Sequence, residues 1–438
     1  MSPPSPHRRV MITGLGLISP LGNTPAALWD ALAAGRSGVA SISLLPSENQ
    51  PLKIAAEARE FTGEIENFGP LEKERKKAIK KGLKVMCRET RMAVAAAQLA
   101  IADAGFAEQP MDPEMSGVVL GSDYMLTMPE DYSGGIKTCA PGGEFEYEKW
   151  GTAGLKDMAP LWMLKYLPNM PASHIAIYND MRGPNNSLTM REAAGNLAIG
   201  EAFRTIQRGH ANLMVAGATG TRILPMQAIH ALQTEQMAVQ NGDPTKASRP
   251  FDKDRTGMVA GEGSGMIVLE EYESAKARGA TIYAEVLGLG SANVADAELR
   301  GRCDIALARA MKAAIRDAGK TPADVDHINA HGLGTVERDA DEARAIRAVF
   351  GPQADEIPVT AIKSYFGNLG AGGGVVELIA SVLALGDGRL PRVLNFETPD
   401  PSCEVRAAGE STKSGGSFLN LSVTPQGQAA VLYVAAAN

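Results

Sequence analysis

Glu192 stands where a tight turn over 183–189 feeds a helix of small residues over 192–208. Free amides and the macrodipole at a helix N-terminus favour an anion, so Glu192 is expected to be ionised. A carboxylate there is a far weaker nucleophile than a thiolate. His331 ends an apolar strand and is followed by Gly332; a neutral imidazole in that place donates one hydrogen bond. Asn368, between Gly367 and Leu369, donates through its amide but can neither act as a base nor carry charge. Lys363 adds a cation just upstream, and Asp339 and Glu342, three apart on one helix, share a face. The dense run Lys73, Arg75, Lys76, Lys77, Lys80, Lys81 and Lys84 would give a helix a broad basic face in an otherwise acidic chain.

These residues need elements to bring them together, and the chain shows a repeat. Ala100-Ile101-Ala102-Asp103-Ala104-Gly105 ends one Ala-rich helix, and Ala314-Ile315-Arg316-Asp317-Ala318-Gly319 ends another. Each Gly suits a left-handed cap. Each leads through a polar loop to an apolar strand, 116–120 and 325–330, which runs into Gly121 or Gly332. Helices over 192–208 and 369–385 form a second pair whose small residues lie on all sides, the mark of helices buried all round. The helix–strand alternation implies an α/β fold with mixed or parallel sheets. Two similar halves, 8–274 and 281–438, are expected to meet near 272–281, and 123–171, with Trp150 and Trp162, reads as an insertion in the first. Gly14-Leu15-Gly16-Leu17-Ile18-Ser19 lacks a sixth-position Gly or Ala and is followed by Pro20, so a strand-to-loop turn is expected rather than a dinucleotide site.

Composition narrows the partners. With 438 residues the chain can bury one large core or two fused halves. Its net charge of −7 argues against duplex nucleic acid. Cys87, Cys139, Cys303 and Cys403 lack metal or redox spacing, so free thiols and no metal site are expected. No apolar run approaching a membrane span of about 18 residues is expected. The Pro-rich start reads as a short disordered lead without a secretory segment, which points to a cytoplasmic protein.

Together these motifs resemble the elongating beta-ketoacyl-acyl-carrier-protein synthases of the thiolase-like superfamily. The resemblance spans nearly the whole chain. It is carried by Val10-Met11-Ile12-Thr13-Gly14-Leu15-Gly16 with Ser19-Pro20-Leu21-Gly22, by Ser248-Arg249-Pro250-Phe251-Asp252, and by Asp254-Arg255-Thr256-Gly257-Met258-Val259-Ala260-Gly261-Glu262-Gly263. Asn329-Ala330-His331-Gly332 and Lys363-Ser364 with Gly367 complete it. It implies a five-layered α-β-α-β-α sandwich of two similar halves, a dimer built on a strand edge, substrates carried on phosphopantetheine by acyl carrier protein, and no other cofactor.

The same resemblance assigns roles and exposes departures. Glu192 replaces the family's nucleophilic Cys and Asn368 its second His. His331 matches the first His, which bonds the thioester oxygen and aids decarboxylation. Lys363 matches the Lys that organises charge, and Asp339 and Glu342 match the acidic pair that holds this Lys and the loop. Leu333 replaces a Thr that contacts pantetheine, leaving Thr335. The gating loop should read roughly Asn-Ser-Phe-Gly-Phe-Gly-Gly-Thr-Asn; here Asn420-Leu421-Ser422-Val423-Thr424-Pro425-Gln426-Gly427-Gln428 lacks the Phe and is stiffened by Pro425. Lys73, Arg75, Lys76, Lys77, Lys80 and Lys81 fall where the family docks its acidic carrier. An ionised Glu192 would repel a malonyl carboxylate unless Arg191 or Lys363 pairs with it. Three readings follow. One is a non-condensing, chain-length-factor-like partner of a Cys-bearing ketosynthase. The second is an acyl-thioester enzyme of altered chemistry with a Glu-His-Asn site. The third is a homodimeric acyl-carrier-binding scaffold.

Overall fold

A computed structural model describes residues 8–45, 51–106, 111–239 and 242–437. The expected disordered lead falls mostly on 1–7, outside the described residues. In the first half, strands β1 (Val10–Ile18), β2 (Ser116–Ser122), β3 (Asn185–Thr189), β4 (Leu213–Thr221) and β5 (Glu262–Glu271) lie in the order β3-β2-β4-β5-β1. Its helices include α1 (Lys73–Gly82), α2 (Arg88–Asp103) and α3 (Ala194–Gln207). The second half has β6 (Ala284–Asn293), α4 (Cys303–Asp317), β7 (His327–Asn329), α5 (Val336–Phe350), β8 (Pro358–Thr360), α6 (Gly373–Asp387), β9 (Arg406–Ala407), β10 (Ser417–Val423) and β11 (Gln428–Ala435). Its strands lie in the order β8-β7-β10-β11-β6, with β9 outside β8.

The two orders are the same, and so are the directions. In each half the first two neighbouring pairs are parallel and the next two antiparallel. Among the described residues the half-sheets join where β1 meets β6, at Val10, Met11 and Ile12. Side chains alternate along each strand. Val118 and Leu120 pack outward on α2, while Val119 faces the central helices. Leu419 and Leu421 pack outward on α4 and α5, while Phe418 faces inward. The result is the expected five layers, with α3 and α6 between the sheets, α2 outside one and α4 with α5 outside the other.

Gly14 and Gly16 correct an expectation: they lie within β1, not in a turn. A Cβ on either would collide with a carbonyl oxygen of α2, at Ala100 or Ala96. Gly288 and Gly290 in β6 face Ala314 and Ala310 of α4 in the same way. Glycine thus lets a helix lie directly on the strand backbone. Asp103 then accepts the Leu15 amide and Asp317 the Leu289 amide, both at 2.8 Å.

A second expectation also fails. The 18 residues Gly370–Asp387 have a mean hydropathy of 1.3, long and apolar enough to cross a membrane. That stretch is 78% buried inside the protein and is the central core helix.

Candidate active site

The site lies where the starts of the two central helices meet the ends of β4 and β7. Glu192 sits in the 3₁₀ turn Arg191–Ala193 that leads into α3. Arg191 holds φ +49°, the left-handed region that a residue with a Cβ enters only at a cost of about 1–2 kcal/mol. This turn buries Glu192, which is 4% exposed.

Two cations meet the Glu192 carboxylate. Arg222, just beyond β4 and 1% exposed, donates to Oε1 at 2.6 Å. Arg191 Nε lies 3.4 Å from Oε2. The Asn368 amide donates to Oε1 at 3.1 Å. Burial alone would push this carboxyl up, but Arg222 and Arg191 hold it far below the ordinary range. Glu192 is therefore a fixed anion, as its position predicts. Its partners are Arg222, which sequence reasoning missed, and Arg191, one of the two cations expected; Lys363 is engaged elsewhere.

Arg222 is itself caged. Asp123 Oδ2 lies 3.0 Å away, and Arg222 donates to the Tyr124 hydroxyl at 2.9 Å. Tyr124 in turn bonds His230 Nδ1, and Arg191 pairs with Glu235. Burial pushes the Asp123 carboxyl up, against the opposing pull of the Arg222 charge.

His331 follows β7. Burial, and then the neighbouring Lys363 charge, holds its imidazole well below the usual range, so it is neutral. Lys363 Nζ donates to His331 Nδ1 at 3.3 Å; an ammonium can only donate, which assigns the ring proton to Nε2. Lys363 pairs with Glu377 of α6 at 2.6 Å. This corrects the role expected of Asp339 and Glu342. Both are buried, and they hold the loop backbone rather than Lys363. Glu342 accepts the amides of His331 at 2.6 Å and Gly332 at 2.8 Å. Asp339 accepts those of Leu333, Gly334 and Phe251. Burial pushes Glu342 up to about 7 and Asp339 to about 6. Asn368 is set by the Gly370 amide, which donates to its Oδ1 at 3.0 Å, and its Nδ2 also lies 3.4 Å from Met258 Sδ.

The proposed gate is not a loop. Ser422 and Val423 belong to β10 and pair with Ala430 and Ala429 of β11. Thr424 and Gly427 close a hairpin, with the Thr424 amide donating to the Gln428 carbonyl at 2.9 Å and the Gly427 amide to Thr424 at 3.0 Å. Arg338 of α5 reaches the carbonyls of Pro425 and Gly301 and clamps the turn. Leu333 packs with Met258, Ala231 and Met237. Thr335 is buried, and its Oγ1 has no hydrogen-bond partner among the described residues. The basic run from Lys73 to Lys81 forms α1, and Lys84 lies in the 3₁₀ turn Leu83–Val85 that follows. Lys73, Lys76, Lys77, Lys80 and Lys81 are exposed, Arg75 is half-buried, and Ile79 is the helix's buried contact. All four cysteines are free and buried.

Family models described as Beta-ketoacyl synthase, N-terminal domain and Beta-ketoacyl synthase, C-terminal domain match residues 7–275 and 283–397. The chain belongs to the beta-ketoacyl synthase family. Among curated members of that family, 3-oxoacyl-(acyl-carrier-protein) synthase 2 of Synechocystis sp. is 36% identical over 407 residues, 91% of this chain and 90% of that protein. The protein of the same name from Coxiella burnetii is 36% identical over 404 residues, 91% of each chain. A beta-ketoacyl synthase from Burkholderia phymatum superposes with a TM-score of 0.84 at 28% identity, over 98% of this chain and 100% of that one. A chain of the ishigamide ketosynthase/chain length factor superposes with a TM-score of 0.80 at 28% identity, over 99% of this chain and 100% of that one.

Proposed function

We propose that this chain is a non-condensing, chain-length-factor-like subunit of fatty-acid or polyketide synthesis that binds acyl carrier protein and partners a Cys-bearing ketosynthase. One observation carries the reading: the Glu192 carboxylate is held by Arg222, Arg191 and Asn368. Each lone pair engaged with a cation is lost to attack on a thioester, and an anion of such low basicity is a poor proton acceptor. The clamped hairpin and Leu333 support the same view, since neither suits a site that opens to admit a phosphopantetheine arm. The α1 lysines, without ion-pair partners among the described residues, offer an acidic carrier a charged face.

The His331–Lys363–Glu377 chain favours the altered-enzyme reading, because it would still polarise a thioester oxygen. The two readings are separated by reconstitution with a Cys-bearing ketosynthase. The subunit reading expects a heterodimer, with condensation dependent on the partner's Cys. Turnover of malonyl or acyl carrier protein by this chain alone would favour the enzyme. A homodimer that ignores the synthase would favour a scaffold.

A further inference from the structure

The groups around Glu192 are held independently of it. The Tyr124 hydroxyl accepts from the second Arg222 nitrogen, and Asp123 lies 3.0 Å from the nitrogen that also meets Glu192. Glu235 fixes Arg191. The Gly370 amide orients the Asn368 side chain. If the Glu192 carboxylate were removed, two guanidinium groups and one amide would still converge on the space it leaves. Guanidinium donors suit the two oxygens of a carboxylate. Two buried donors also exceed what Glu192 satisfies: Arg222 Nε and Arg191 Nε have no hydrogen-bond partner among the described residues. Arg222 itself is 1% exposed.

We infer that Arg191, Arg222 and Asn368 form a pre-organised carboxylate-binding site, of which Glu192 is the tethered occupant. The ligand class follows from covalent structure. A glutamate side chain beyond Cβ is a methylene bearing a carboxylate, so Glu192→Ala with a bound acetate restores the native atoms without the tether. Formate lacks the methylene carbon. Propionate adds a methylene to a packed space. This inference does not rest on the chain being non-condensing; it concerns binding alone and holds for an active or inactive protein.

The test is the melting temperature of Glu192→Ala in sodium acetate against sodium chloride of equal ionic strength. Acetate should raise it by a few degrees with a saturating dependence. Wild type and Glu192→Gln, whose sites are filled, should not respond. Formate, propionate and phosphate should act less than acetate. Adding Arg222→Met to Glu192→Ala should abolish the effect. Should Glu192→Ala not fold in chloride, the same comparison is made on its refolding yield, and on that of Glu192→Ser. The inference is overturned if acetate acts no better than chloride, if wild type responds equally, or if the acetate effect survives Arg222→Met.

Discussion

Glu192 keeps its charge in a place where an uncompensated carboxylate would cost several kcal/mol, because two guanidinium groups and an amide face it. Arg222→Met should therefore destabilise the protein by about 3–5 kcal/mol at pH 8, read by urea unfolding, since it strands Glu192. The wild-type Glu192 carboxyl lies below its unfolded value, so its stabilisation is present above about pH 4.5 and is lost as pH falls. In Arg222→Met burial would raise that carboxyl instead, and the deficit should shrink toward pH 5. A milder variant with little loss at pH 8 would mean that Arg222 is not the compensating charge. Glu89 behaves in the opposite sense. It is buried, accepts one bond from Gln227 at 3.0 Å, and burial pushes it up to about 7. Its contribution is present below about pH 4.5 and is lost as pH rises through 7. Glu89→Gln removes that titration and should gain on wild type by about 3 kcal/mol between pH 4.5 and pH 8. Parallel pH profiles for the two proteins would contradict this.

Among the elements, the β10–β11 hairpin and α1 carry the functional consequences. Gly427 holds φ +82°, and a Cβ there would meet the Val294 carbonyl oxygen. Gly427→Ala should cost more than about 1 kcal/mol, and the amides of Leu421, Ser422 and Val423 should exchange only on global unfolding. Fast exchange of those amides would restore the moving gate that the family pattern suggested. Sequence alone showed the missing Phe and the Pro, but not that strand pairing continues to Val423, because register is set by a partner strand. For α1, Lys76→Glu, Lys77→Glu and Lys80→Glu together should slow association with acyl carrier protein about tenfold at low salt. Association unaffected by both the charge reversal and added salt would leave α1 a solvated face.

At the scale of the whole molecule, duplication made the fold legible. The repeated Ala-Ile-x-Asp-Ala-Gly marked equivalent helix ends, and its Asp proves to grip a strand amide in each half. Glu192, His331, Lys363 and Asn368 were legible too, as motif positions. Arg222, Asp123, Tyr124 and Glu377, which complete the set, were not, because they come from segments that carry no motif. Glu377 left a signal: a lone acid inside an apolar helix needs a buried cation. Arg222 left a similar one, an arginine directly after an apolar strand. Asp123 and Tyr124 fell in the stretch read as an insertion. The proposed non-condensing role rests on the pinned anion that these partners hold. The direct measurement is intact mass after incubation with acyl and malonyl carrier proteins, followed by denaturation. The account predicts unmodified protein. A stoichiometric acyl adduct on Glu192 that survives denaturation would contradict it.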